Sequence, residues 1–215
     1  MAHPALRVSV TGAAFLLTAA AGLIACAAPQ YTYVADSSAN TYYKVPYGWH
    51  AVPAASLSST LRVDRPGAWL SAYGPDAHTA SAFNAGSFGV TKPFVFAEVR
   101  SLAPDESAAV SYDALADVLF PVTPTARQAA AGQVPYTGFQ LLGQAMLTPG
   151  QGIHGVRVAF EYTLSNTTDV FEQVALTNAD QTELYLLLVH CTAACFSRNQ
   201  NAINTIVSSF TVRSP

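Results

Sequence analysis

Hydrolysis by a serine needs a nucleophile with a base placed to take its proton, so the histidines are the first residues to locate. There are five: His3, His50, His78, His154 and His190. Serines are plentiful, but the chain holds no Gly-x-Ser-x-Gly elbow and no His-Glu-x-x-His pair. A serine hydrolase or metalloprotease would have to be assembled from scattered positions. His154 falls in a glycine-rich turn, which predicts a solvent-facing ring, and His190 ends an apolar run, which predicts a capped or half-buried group. Paired carboxylates are the other candidate chemistry, because glycosidic cleavage uses two. Asp105, Glu106, Asp113 and Asp117 are the densest acids, yet they precede or enter a helical stretch whose positive N-terminal dipole accounts for them. Gly86-Ser87-Phe88-Gly89 and Gly150-Gln151-Gly152 lack the strand-to-helix setting and the lysine of a phosphate loop. The expectation is a chain with no catalytic residue, no metal ligand and no cofactor.

The amino-terminal segment carries a different chemistry. Arg7 gives a weakly positive start, and Val8 to Ala25 follow as an uncharged, mainly apolar run containing Phe15, Leu16, Leu17, Leu23 and Ile24. This has the form of a secretory signal. As a spanning helix the run is near the minimum of roughly 18 residues and is weakened by Thr11, Gly12, Thr18 and Gly22. Its end, Leu23-Ile24-Ala25-Cys26, resembles the bacterial lipobox. That resemblance implies a diacylglyceryl group on the Cys26 thiol, cleavage after Ala25 and a further acyl chain on the new amino terminus. One chain binds a membrane only marginally, whereas two or more make the attachment stable. Residues 1–25 are therefore expected to be a lipoprotein signal peptide and 26–30 a short leader behind the lipidated cysteine.

With Cys26 assigned to lipid, the three cysteines leave one pair, Cys191 and Cys195. In an oxidising space outside the cytosol such a pair is expected to form a disulfide. A strand ending at Cys191 and a helix opening at Cys195 bring the two alpha carbons within bridging range, and the small ring would chiefly fix that corner. A metal site on His190, Cys191 and Cys195 lacks a fourth ligand, and adjacent strand residues point to opposite faces. The spacing is also not that of a thiol oxidoreductase.

Composition sets the bounds around these residues. The chain has 215 residues, 51% hydrophobic, 11% charged and 11% aromatic, which describes a folding domain rather than a disordered one. Removing residues 1–25 leaves nine basic against thirteen acidic residues, a net charge of −4. With only two lysines, Lys44 and Lys92, and no basic run, nucleic acid is excluded as a partner. The run Leu184 to Val189 is too short to span a bilayer and reads as a buried strand. One domain over 31–215 is the simplest organisation.

The elements follow from period and punctuation. Tyr31–Val34 and Tyr42–Pro46 predict an opening hairpin turning at 36–40. Trp49–Val52 continues the chain after Gly48, and Ala68–Tyr73 and Pro93–Leu102 predict further strands. Val110, Ala114, Leu115, Val118 and Leu119 recur at helical spacing and predict an amphipathic helix ending before Pro121. Pro121 to Pro135 reads as an exposed loop. Gly138–Leu147, Ile153–Leu164, Asp169–Thr177 and Thr182–His190 predict four strands whose short connections require an antiparallel meander. A last helix from Cys195 carries Phe196, Ile203, Ile206 and Val207 on one stripe, and Phe210 closes the core. The fold class is α+β, an antiparallel sheet flanked by helices.

Tyr42-Tyr43-Lys44-Val45-Pro46-Tyr47-Gly48-Trp49 resembles the opening of PsbP-like domains, and Ile203 to Val212 resembles their final helix running into a Ser-Phe and a last strand. The resemblance brackets residues 31–215 and implies a PsbP-like sandwich. This architecture occurs in extrinsic photosystem proteins, in a Ran-binding nuclear import factor and in small actinobacterial cell-envelope lipoproteins. It implies docking or assembly rather than catalysis; the photosystem role is not carried over. Trp49 and Phe210 are expected to pack in the core.

The function expected is that of a non-catalytic binding module, lipid-anchored to the outer face of a bacterial cell membrane. It would hold a protein or envelope component through its sheet face or the 121–135 loop. Carriage of a small apolar ligand is the alternative and would require an internal pocket of several hundred Å³. A cryptic envelope hydrolase would require His50, His78 or His154 to meet a serine and a carboxylate.

Overall fold

The computed structural model describes residues 29–53, 56–57, 67–76 and 88–213. The signal segment, Cys26, His3 and His78 lie outside these residues. Strands β1 (Tyr31–Asp36) and β2 (Thr41–Pro46) form the opening hairpin, with β2 alternating buried and half-buried positions. Asp36 shapes the turn by accepting the Ser38 and Ala39 N–H groups at 2.8 and 2.9 Å. The hairpin does not join the main sheet. It pairs instead with β10 (Thr211–Val212) in a three-stranded sheet ordered β1-β2-β10.

The main sheet has seven antiparallel strands. They are β3 (His50–Ala51), β4 (Trp69–Gly74), β5 (Phe94–Ser101), β6 (Thr137–Gly150), β7 (Ile153–Leu164), β8 (Thr167–Thr177) and β9 (Glu183–Thr192). Their order is β3-β4-β5-β9-β8-β7-β6, so the meander β6 to β9 is joined through β9 to the earlier strands. Ser165 and Asn166 both take positive φ, 49° and 67°, the geometry that a tight two-residue hairpin between β7 and β8 demands. β5 and β9 lie in the middle and are buried on both faces, which is why each is a nearly unbroken apolar run.

One face of this sheet presents Phe94, Phe96, Val158, Phe160, Phe171 and Leu186. The chain from Leu102 to Tyr136 covers it with three short helices, α1 (Pro104–Ala108), α2 (Tyr112–Ala116) and α3 (Pro124–Ala130). The other face presents Val95, Ala97, Val174, Leu187 and Val189 to α4 (Ala193–Ser209) and the small sheet. Trp49 and Phe210 are partly buried against this second cluster. The result is an α+β sandwich of antiparallel sheets and helices.

Two expectations need correction. The helix expected over 110–119 is α2 alone, started by Ser111, whose hydroxyl accepts the Ala114 N–H at 3.0 Å, and it stops at Asp117. The stretch expected as loop, Pro121 to Pro135, contains α3. Thr123 caps it by accepting the Ala126 N–H at 3.2 Å, and Pro124 sits in the first turn, where its missing N–H costs nothing.

Candidate functional site

The described histidines do not converge. His50 is exposed in β3, the first strand of the sheet order, and His154 lies in β7, the sixth. Five strand spacings part them, about 24 Å. The His154 Nδ1 lies 3.0 Å from the Gly152 carbonyl oxygen, and its ring meets Tyr112 edge-on. His190 is fully buried rather than half-buried. Its ring stacks on Phe171, 5.1 Å between centroids, and meets the edge of Phe94. Nδ1 has no hydrogen-bond partner among the described residues, and burial pulls the pKa down to about 4, so the ring is neutral at physiological pH.

Asp169, which sequence reasoning passed over, is buried two residues along β8 from Phe171. One carboxylate oxygen accepts the Gly89 N–H at 2.8 Å, holding the segment before β5 against the sheet. Burial raises its pKa to about 6, against the lowering effect of the Gly89 and Val90 N–H groups. Gln173 was passed over as well. Its buried amide donates to the Leu115 and Ala116 carbonyls at 3.0 and 3.1 Å, supplying the C-terminus of α2 with partners from the sheet below. No periodicity marks either residue, because each is a polar group at a core position.

The acids expected at helix starts have divided roles. Asp105 and Asp113 do occupy first turns. Glu106 forms a two-pronged pair with Arg100 at 2.8 and 2.9 Å and accepts the Ala103 N–H. Asp117 stands at the end of α2 rather than near its start, and accepts from the Val122 N–H, the Thr123 N–H and the Thr123 hydroxyl at 2.6–2.8 Å. Among the described residues no three His, Cys, Asp or Glu side chains are grouped to hold a metal. Cys191 in β9 and Cys195 in the first turn of α4 are joined as a disulfide, with alpha carbons 5.9 Å apart. Thr192 between them caps the helix.

Phe120, Tyr136, Phe139, Phe160, Tyr162 and Phe171 pack ring on ring at 4.5–6.4 Å. Two surface features bear on binding. A cleft of about 380 Å³ lies between α3, the turn behind it and the start of β6, with Arg127, Tyr136, Phe139 and Tyr162 in its walls. The other is β6 itself, the outermost strand, fourteen residues without a charge. Its Leu141 and Leu142 are 46% exposed and Met146 71%. Of three register irregularities against β7, the one between Leu141 and Gly143 leaves Leu142 without a partner in the ladder.

No protein-family model matches this chain, and no curated protein matches its sequence. The likeness is to solved structures. The solution structure of cyanobacterial PsbP, CyanoP, from Synechocystis aligns with TM-score 0.51 at 13% identity, over 88% of this chain and 96% of that one. The Ran-binding protein Mog1p of Saccharomyces cerevisiae aligns with TM-score 0.48 at 11% identity, over 85% and 95%. LpqN, involved in cell envelope biogenesis of Mycobacterium tuberculosis, aligns with TM-score 0.46 at 14% identity, over 86% and 91%. At these identities the likeness is one of architecture, and the architecture is the PsbP-like α+β fold.

Proposed function

We propose that this chain is a non-catalytic binding or assembly module, tethered through lipid on Cys26 to the extracytoplasmic face of a bacterial cell membrane, in the manner of small actinobacterial lipoproteins. The observation that carries the binding role is β6. An outermost strand whose far edge pairs with no other strand among the described residues, with no charge and three exposed apolar side chains, is suited to docking another protein. Of the buried titratable groups, Asp169 holds the 88–90 segment and His190 takes part in a ring stack. The Leu23-Ile24-Ala25-Cys26 sequence supports the tether, and the Cys191–Cys195 disulfide suits an oxidising compartment.

The test is affinity capture from intact membranes with wild type, Cys26→Ala and a Leu142→Asp, Met146→Asp double variant. A partner recovered with wild type and lost with the double variant is the expected result. Recovery of nothing above the Cys26→Ala control would overturn the reading. Mass spectrometry of the amino terminus checks the tether separately: a free Met1 without acyl mass would remove it.

A further inference from the structure

We propose that the cleft beneath α3 binds a small aromatic carboxylate, its ring lying against Tyr136, Phe139 and Tyr162 and its charge on Arg127. Arg127 is held by two contacts. Its guanidinium lies over the Phe139 ring, 4.2 Å from the centroid, and Nε donates to the Val122 carbonyl at 3.3 Å. The hydrogen bond to Val122 uses Nε, and the two terminal nitrogens donate to no protein acceptor among the described residues. Two parallel N–H bonds in one plane match a carboxylate.

Three of the other cations are answered by carboxylates: Arg100 by Glu106, Arg157 by Glu172, Lys92 by Asp76. Arg127 forms no such pair among the described residues. The neighbouring acid, Asp117, is committed to the backbone and hydroxyl of 122–123. A fixed cation beside an aromatic wall, with no protein anion to neutralise it, is complementary to a ligand that brings both an anion and a ring.

The phenols do not compete for the site. Burial pushes Tyr136 up and Tyr162 to about 12, so both are neutral, and the Tyr162 hydroxyl donates to the Pro121 carbonyl. Their rings, 4.6 Å apart at the centroids, therefore act as apolar surface. A volume of about 380 Å³ has room for a one-ring acid. The walls are built by α3 and the beginning of β6, away from the exposed Leu142 and Met146, so this inference does not rest on the protein-docking reading.

The experiment is calorimetric titration of the full chain in lipid nanodiscs, with empty nanodiscs as blank. The probes are 3-phenylpropionate and its neutral analogue 3-phenylpropionamide. Expected are saturable binding of the acid and at least about tenfold weaker binding of the amide, a difference of about 1.4 kcal/mol. Hydrogen-exchange protection on adding the acid should be confined to residues 121–139. Arg127→Gln should weaken the acid about tenfold or more and the amide by much less, and Arg127→Lys should restore part of the loss. The amide comparison uses wild type and so does not depend on how a variant folds. No saturable binding of the acid up to about 10 mM, equal affinity for acid and amide, or an acid affinity indifferent to Arg127→Gln would each overturn the proposal.

Discussion

His190 and Asp169 pull the acid stability of the protein in opposite directions. His190 titrates near 4 folded and 6.5 unfolded, so the unfolded chain takes up its proton first. The stability it contributes is complete above 6.5 and is lost as pH falls toward 4. Asp169 titrates near 6 folded and 3.8 unfolded, so the folded chain takes up its proton first. Its contribution is greatest below 3.8 and declines as pH rises to 6. Between about 4 and 6 the two slopes offset each other. His190→Phe, which keeps a ring between Phe94 and Phe171, should leave stability declining across that window, and Asp169→Asn should leave it rising. Denaturant midpoints measured from pH 4 to 7 check both, and unchanged slopes in the two variants would refute the account.

At the level of elements, α2 is too short to hold itself together, and Gln173 supplies what its end lacks. Gln173→Leu should cost about 1–3 kcal/mol by orphaning buried carbonyls. Exchange should quicken across 112–116 while the β8 and β9 amides stay protected; an unmoved melting temperature would deny Gln173 this role. Why some elements could be read from the chain and others could not follows the same logic. The strands from 137 to 192 are separated by Gly, Asn and Asp turns, and Ile153–Leu164 has the predicted bounds. Helix α3 could not be read, because three prolines outweigh a cap and a short run of helix formers in any local reading. That the opening hairpin pairs with β10, and β5 with β9, is a matter of distant partners and leaves no local trace. The cleft likewise needs Arg127 and Tyr162 brought together from distant points in the chain.

Across the whole molecule the small sheet is a clasp made from the two ends of the described chain. β10 lies against β2, the Arg213 N–H donates to the Asn40 carbonyl at 2.9 Å, and the Arg213 guanidinium sits over Tyr42. Truncation after Phe210 should therefore lower stability by about 1–2 kcal/mol and deprotect β1 and β2 while sparing the large sheet. A loss of protection spread evenly over both sheets would contradict that division. The position of β9 has a wider consequence. It is the last long strand to be made, yet β5 and β8 both hydrogen-bond to it. While the polypeptide is being synthesised, β3 to β5 have no route into the completed sheet until residue 192 has emerged. The first half must wait, open and apolar, and would be vulnerable to wrong partners during that delay.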